Sequence, residues 1–182
     1  QGILSGTLSY LFSSFDGTIP FSELVEDAIR KGFTEPDPRE DLNGNDVARK
    51  ILIMARETGA ELNLSDIEIQ NLVPESIDKE CSVEQFLIKL KDFDQNFLSK
   101  FEKASKYKKV LRYIGSWEEG SAKVGLRAVG PENPFYHQKG RENFILFKTN
   151  RYNDIPLVIK GHGAGSDVTA AGVLRDIQLC QE

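Results

Sequence analysis

The hydrophobic pattern of this chain changes near residue 110, and that change limits the possible folds more than any other feature. Before it, apolar residues recur at helical spacing, which predicts amphipathic helices. One such helix face consists of Leu8, Leu11, Phe12 and Phe15. After the change, short runs predict strands at 110–117, 122–129, 144–149 and 157–160, of which the first two form a hairpin. Because the helices precede the strands instead of alternating with them, we predict the α+β class, with helices packed on one mixed β-sheet.

Three further segments complete the predicted elements. A long helix is expected over 82–107, where phenylalanines recur at helical intervals, and a weakly alternating strand is expected over 67–73. A terminal helix that begins with small side chains is expected over 168–179. The length of 182 residues and the apolar content of 40% suit one globular domain spanning 1–182.

The composition excludes several classes of protein. The net charge is −5 and the 23 basic residues are dispersed, so binding to a nucleic-acid backbone is not expected. No apolar run reaches the roughly 20 residues that a membrane span needs. Cys81 and Cys180 stand alone without metal-ligand neighbours, which favours a reducing, cytoplasmic compartment and gives no metal site. Residue 1 is Gln rather than Met, which suggests a piece of a longer chain.

The segment 34–50 is the most polar candidate site, with five carboxylates and three cations. Pro36 and Pro38 favour an extended first half, and the second half enters a helix predicted for 45–58. A calcium loop counted from Asp41 fails, because the EF-hand pattern requires glycine at its sixth position and glutamate at its twelfth. The carboxylates therefore either solvate a loop or form a polar site.

Within that helix, Asp46 and Lys50 stand at i and i+4. An exposed pair of this kind contributes only about 0.3–0.5 kcal/mol and needs no functional role. However, a helical wheel places the pair between a central apolar stripe and Ile53, so we predict that apolar neighbours partly desolvate Lys50. The stripe consists of Val47, Ile51, Met54 and Ala55.

The glycine-rich loop 161–165 lies between a predicted strand and the terminal helix. It is either a tight turn or an anion cradle built from backbone N–H groups, and it lacks the spacing of a complete dinucleotide-binding fingerprint. His137 and His162 have no recognisable nucleophile nearby, so a catalytic triad has little support.

Together, segments 2–11, 32–50 and 156–173 resemble the catalytic domain of homoserine dehydrogenase in sequence, order and spacing. The middle segment, Gly-Phe-Thr-Glu-Pro-Asp-Pro-Arg-Glu-Asp-Leu-Asn-Gly-Asn-Asp-Val-Ala-Arg-Lys, is long and specific. The resemblance implies interconversion of L-aspartate 4-semialdehyde and L-homoserine with NAD(P)H, in the biosynthesis of threonine, methionine and isoleucine. It also implies a homodimer and a Rossmann domain upstream of Gln1, either in a monofunctional enzyme or after an aspartokinase. The isolated chain would then be inactive.

The resemblance also assigns residues. Lys50 matches the lysine that exchanges a proton with the substrate oxygen, and Asp46 matches the carboxylate beside it. The other matches are Glu35 and Asp41 for the substrate ammonium, Gly6 and Thr7 for the substrate-side turn, and Gly163 and Gly165 for the loop near the nicotinamide. Phe33, Glu40 and Asn45 depart from the usual family residues, and any sodium ligands would lie upstream. The rival hypothesis is a non-enzymatic amino-acid-binding or subunit-assembly module on the same fold.

Overall fold

The structure is a computed structural model that describes residues 1–163 and 165–180. Its helices are α1 Gly6–Ser14, α2 Phe21–Arg30, α3 Pro38–Leu42, α4 Asn45–Glu57, α5 Val83–Leu90, α6 Asp94–Ser105 and α7 Ser166–Leu179. Its strands are β1 Gly2–Ile3, β2 Glu68–Ile69, β3 Val110–Glu118, β4 Ser121–Val129, β5 Asn143–Phe147 and β6 Leu157–Gly161. Short 3₁₀ helices lie at Leu64–Asp66, Lys91–Phe93 and Pro134–His137.

These strands form one mixed sheet in the order β2-β4-β3-β1-β5-β6. β2 pairs with β4 in parallel, and the remaining pairs are antiparallel. The short strand β1 lies between β3 and β5, because Gly2 pairs with both Gly115 and Ile145. The predicted α+β class with helices on one mixed sheet is therefore confirmed.

The predicted hairpin is also confirmed, as β3 and β4 pair along their whole length from Val110 to Val129. Its two-residue loop is Glu119-Gly120, and both residues have positive φ, 50° and 78°. That backbone matches the twist of the flanking strands in tight hairpins.

The main core lies between the helices and one face of the sheet. Gly115 of β3 lets α4 approach closely, because a Cβ at this position would collide with the Ile51 side chain. A cluster of aromatic rings joins α1, α2 and α6, in which Phe21 stacks on Phe97 with ring centroids 3.8 Å apart. The predicted apolar face of α1 is confirmed, with Leu8, Leu11, Phe12 and Phe15 all buried.

Arg112 of β3 is buried, with 5% of its surface exposed. Its guanidinium donates to the carbonyl oxygens of Phe12, Leu111, Phe135, Tyr136 and Gln138, at 2.8–3.1 Å. Burial lowers the pKa of Arg112 to about 10. One side chain therefore ties α1 to the 3₁₀ helix at Pro134–His137 and to the loop after it.

Two sequence predictions were too simple. The long helix expected over 82–107 is divided into α5 and α6 by the 3₁₀ turn at Lys91–Phe93, although Phe86, Leu90 and Phe97 are buried as expected. The strand expected over 67–73 is limited to β2, because the chain pairs with β4 only over a short stretch.

The segment from β6 to α7 differs from the rest of the chain. The described residues of β6 and α7 are exposed, including Leu157, Ile159, Leu174 and Ile177, which are 40–57% exposed. Among the described residues, no helix has both the length and the apolar character needed to cross a membrane.

Candidate functional site

A cleft of about 140 Å³ brings together three of the predicted site residues, Gly6, Lys50 and Gly163. Gly6 opens α1, Lys50 lies on the second turn of α4, and Gly163 follows β6. Three side chains without an assigned role also line the cleft: Arg141 and Asn143 around the start of β5, and His162 after β6. Segments more than a hundred residues apart in sequence therefore meet at one place.

Lys50 is fixed by two hydrogen bonds. Its Nζ donates to Asp46 Oδ2 at 2.7 Å and to the Leu4 carbonyl oxygen at 2.9 Å. The ammonium is therefore directed at the segment between β1 and α1, just before the first helical residues Gly6 and Thr7. The predicted pairing of Asp46 with Lys50 is confirmed.

Lys50 is partly buried, as predicted, but Ile53 on the outer side of the pair is largely exposed. The side chains of Lys50 and Asp46 are 42% and 54% exposed, and Ile53 is 61% exposed. A helical wheel gives the direction of a side chain but not the extent of the surface that covers it. Within the described chain, α4 buries Val47, Ala48 and Ile51, while Ile53 points away from the core.

Gly44 sets where α4 begins. It has φ of 78°, and a Cβ at this position would collide with the Tyr113 hydroxyl. That hydroxyl donates to the Gln70 carbonyl oxygen at 2.7 Å, and burial raises the pKa of Tyr113. Because Gly44 lies against β3 directly before α4, it fixes where α4 begins and therefore where Asp46 and Lys50 lie.

Asp41 lies at the end of α3 in a polar contact with α1. Its Oδ1 is 2.7 Å from the Thr7 hydroxyl oxygen, and its Oδ2 accepts from the Glu35 N–H at 2.8 Å. The same hydroxyl oxygen lies 2.5 Å from the Phe33 carbonyl oxygen. The Thr7 hydroxyl thus lies between the Asp41 carboxylate and the Phe33 carbonyl oxygen, and it can donate its proton to either of them. Burial raises the pKa of Asp41, against the opposing effect of the Thr7 hydrogen bond.

The remaining carboxylates of the acidic segment have different surroundings. Asp37 caps α3 by accepting from the Arg39 N–H at 2.9 Å, and it pairs with the Arg39 guanidinium. That ion pair lowers the pKa of Asp37. Glu35 and Glu40 are exposed. The segment is therefore partly structural, and Asp41 is the carboxylate of the segment that contacts α1.

The glycine-rich loop joins β6 to α7, as predicted. A Cβ on Gly163 would collide with the Asn143 side chain, and Gly165 has φ of 136°, a backbone conformation that favours glycine. The loop thus approaches the start of β5 closely. The prediction that Ala164 belongs to this turn lies outside the described residues.

Sequence reasoning missed Arg141, Asn143 and His162. His162 had been considered only as a triad member, and nothing in the local pattern of Arg141 or Asn143 set them apart from loop residues. Their position depends on the pairing of β5 with β6, in which Asn143 is opposite Gly161. His137 is exposed on the 3₁₀ helix Pro134–His137, away from the residues that line the cleft.

A larger groove of about 800 Å³ lies elsewhere, between α4 and the sheet. Its lining includes Ile51, Met54, Trp117 and Phe147, and none of the predicted site residues borders it. The smaller cleft is the better candidate, because Gly6, Lys50 and Gly163 line it. In the part of the chain that the structure describes, no group of three or more His, Cys, Asp or Glu side chains could hold a metal ion.

The geometry defines the class of protein first: an α+β domain in which a helical lysine–carboxylate pair faces a glycine-rich strand-to-helix loop. A sequence profile of homoserine dehydrogenase matches residues 1–178. The chain belongs to the homoserine dehydrogenase family.

One relative and two solved structures show the extent of the similarity. The chain is 47% identical over 179 residues to a bifunctional aspartokinase/homoserine dehydrogenase of Zea mays, covering 97% of this chain and 20% of that protein. A crystal structure of a Candida auris protein of unknown function has a TM-score of 0.90 and 39% identity, and the match covers 100% of this chain and 52% of the other. A crystal structure of a putative homoserine dehydrogenase of Archaeoglobus fulgidus has a TM-score of 0.75 and 26% identity, and the match covers 97% of this chain and 48% of the other. The chain thus spans a fifth to about half of the length of these proteins.

Proposed function

We propose that this chain is the catalytic domain of an enzyme that interconverts L-aspartate 4-semialdehyde and L-homoserine with NAD(P)H. The observation that carries the proposal is the position of Lys50, whose ammonium is fixed by Asp46 and the Leu4 carbonyl at the edge of the cleft. Membership of the homoserine dehydrogenase family supports it. The product belongs to the route toward threonine, methionine and isoleucine.

The residues divide the work in this proposal. Reduction of an aldehyde leaves negative charge on its oxygen, which a positioned ammonium stabilises and protonates. Lys50 is the group for that step, and Asp46 keeps it in place. Asp41 and Glu35, next to Thr7 and Gly6, receive the substrate ammonium, because carboxylates are its natural partners.

The nicotinamide cofactor supplies the hydride. In this proposal Gly163 and Gly165 are the residues of this chain that approach it. Gly163 lines the cleft together with Lys50, and neither glycine has a side chain beyond a hydrogen. Most of the cofactor contacts belong to a Rossmann domain of the same natural protein. The exposed apolar residues of α7 are suited to contact that domain.

The test is an assay of the natural full-length protein and of residues 1–182 alone. We expect NAD(P)⁺-dependent oxidation of L-homoserine by the full-length protein and none by residues 1–182. Activity of the shorter chain would show that the two-domain assignment is wrong. Absence of activity in the full-length protein, together with homoserine binding, would instead support the amino-acid-binding or assembly module.

The proposed assembly is a homodimer that pairs through sheet surfaces. Light scattering of the full-length protein measures the mass directly. A monomer at all concentrations would contradict this part of the proposal without affecting the assignment of Lys50.

A further inference from the structure

Arg141 is the strongly basic side chain of the cleft that the proposed reaction leaves without a role. It is exposed and lies just before β5. Its guanidinium carbon is 4.3 Å from the centroid of the Phe33 ring. Its Nε is 3.5 Å from the point where a Cβ on Gly6 would stand. The Arg141 side chain therefore lies close both to Gly6, the first residue of α1, and to the ring of Phe33.

The N–H groups of this guanidinium are available to a ligand. Within residues 1–163 and 165–180, Arg141 makes no side-chain hydrogen bond or ion pair, whereas the guanidinium groups of Arg39 and Arg112 are both engaged. Stacking on an aromatic ring uses the face of a guanidinium and leaves its N–H edges free. Those edges match the two oxygens of a carboxylate.

Phe33 connects this cation to the acidic part of the site. Its ring contacts Arg141, while its carbonyl oxygen accepts from Thr7, which also contacts Asp41. A cation and a carboxylate thus flank a single residue. An α-amino acid presents the complementary pair, because its ammonium and carboxylate groups are attached to one carbon atom.

We propose that Arg141 binds the α-carboxylate of the amino-acid substrate. This inference rests on the proposed function and adds the group that holds the end of the substrate opposite its reacting oxygen. Asp41 and Glu35 receive the ammonium, Arg141 the carboxylate, and Lys50 the oxygen at the far end of the side chain. Three contacts then set both the position and the chirality of the substrate.

The experiment compares Arg141→Gln with the parent in the full-length protein, using L-homoserine and L-homoserine amide as substrates. The amide has the same shape but lacks the negative charge. We expect Arg141→Gln to lower kcat/KM for L-homoserine by about tenfold to a hundredfold, mainly through KM, because a hydrogen bond to a charged group is lost. On the amide, the variant and the parent should agree within about twofold.

Two further variants separate binding from folding. Arg141→Lys keeps the charge and should recover part of the lost KM effect for L-homoserine. Lys139→Gln, at an exposed cation in the same loop that does not line the cleft, is the matched control and should behave as the parent.

Equal losses on both substrates would overturn the proposal, because they would indicate a structural role. An unchanged KM for L-homoserine would overturn it as well. Failure of the proposed function looks different: the unsubstituted full-length protein would oxidise neither substrate, and the assignment of Arg141 would be rejected with it.

Discussion

Two regions of the molecule border the candidate site. One is the pair of helices α1 and α4, and the other is the segment from β6 to α7. They differ in how far their apolar side chains are buried. Leu8, Leu11 and Ile51 are at most 2% exposed, because α1 and α4 pack against the sheet. In α7, Leu174 and Ile177 are 57% and 53% exposed. The side of the site that holds Lys50 and Asp41 is therefore built by this chain itself. The glycine loop lies between β6 and α7, whose described apolar residues are exposed.

This difference suits the proposed division of labour. Groups that must stand within hydrogen-bond distance of the substrate need rigid support, since small displacements of a reacting group have large effects on rate. In the proposal, the glycine loop contacts the domain that binds the cofactor. Substitutions in the two parts should therefore differ in their effects on activity and stability.

Replacement of Lys50 should have the largest effect and should act on chemistry alone. In the full-length protein, Lys50→Ala is expected to lower kcat by roughly 10³-fold or more, because the proton and the charge that stabilise the developing oxyanion are lost. Cofactor affinity and stability should change little, as the side chain is 42% exposed. Steady-state kinetics with Arg49→Ala, an exposed neighbour on α4, give the control. Near-normal turnover of Lys50→Ala would reject the role of Lys50.

Replacement of Arg112 should have the largest effect on stability. Arg112→Met leaves five carbonyl oxygens without their donor and should cost about 3–5 kcal/mol in the free energy of unfolding. Arg127→Met is the matched control, because Arg127 pairs with Arg112 across the hairpin and, within the described residues, its guanidinium donates to the Ser116 hydroxyl alone. Urea unfolding of residues 1–182 measures the free energy of unfolding of both variants. Equally small losses in Arg112→Met and Arg127→Met would show that the buried carbonyl oxygens find other donors.

Gly44→Ala should lower the free energy of unfolding by about 2 kcal/mol. Alanine is strained at this positive φ, and its Cβ collides with the Tyr113 hydroxyl. Gly32→Ala separates the two causes, since Gly32 has φ of 66° but nothing within 4 Å of an added Cβ. We expect the Gly32 variant to lose less stability in the same urea titration. If the two variants lose equal stability, the contact with Tyr113 does not position α4.

The fold could be predicted from the sequence further than the site could. Local patterns indicated α4, the hairpin and the strand–loop–helix end of the chain, because helix and hairpin signals depend on neighbouring residues. The role of Arg112 could not be predicted, because its acceptors are up to 100 residues away in sequence. Strand β1 was too short to show a period. Arg141 became part of the site only because β5 pairs beside β1.

The acidic part of the site gives a pH-dependent prediction. Burial raises the pKa of Asp41, so its contribution to stability is full below the ordinary carboxyl pKa and is lost as the pH rises through the raised value. Asp41→Asn keeps a donor for Thr7 and an acceptor for the Glu35 N–H without the charge. Between the ordinary carboxyl pKa and the raised pKa of Asp41, the stability of Asp41→Asn relative to the parent should therefore rise with pH. The total rise should be smaller than the stability that Gly44→Ala loses. Thermal unfolding measured at several pH values gives this difference in stability, with Glu35→Gln as the control. Parallel curves of stability against pH for Asp41→Asn and the parent would contradict the prediction.

The smallest effect within residues 1–182 should come from α7. Ile177→Ala should change the free energy of unfolding by less than about 0.5 kcal/mol, because Ile177 is already 53% exposed. Ile51→Ala, at a position 2% exposed, should cost about 2–5 kcal/mol. In the full-length protein the same Ile177→Ala should become measurably destabilising if α7 packs on the cofactor domain. The change in one variant between the two lengths of chain is the informative quantity, since the intrinsic helix propensity of Ile and Ala contributes equally to both. An Ile177→Ala effect that is the same in both chains would mean that α7 remains uncovered, and the cofactor side of the site would then need a different support.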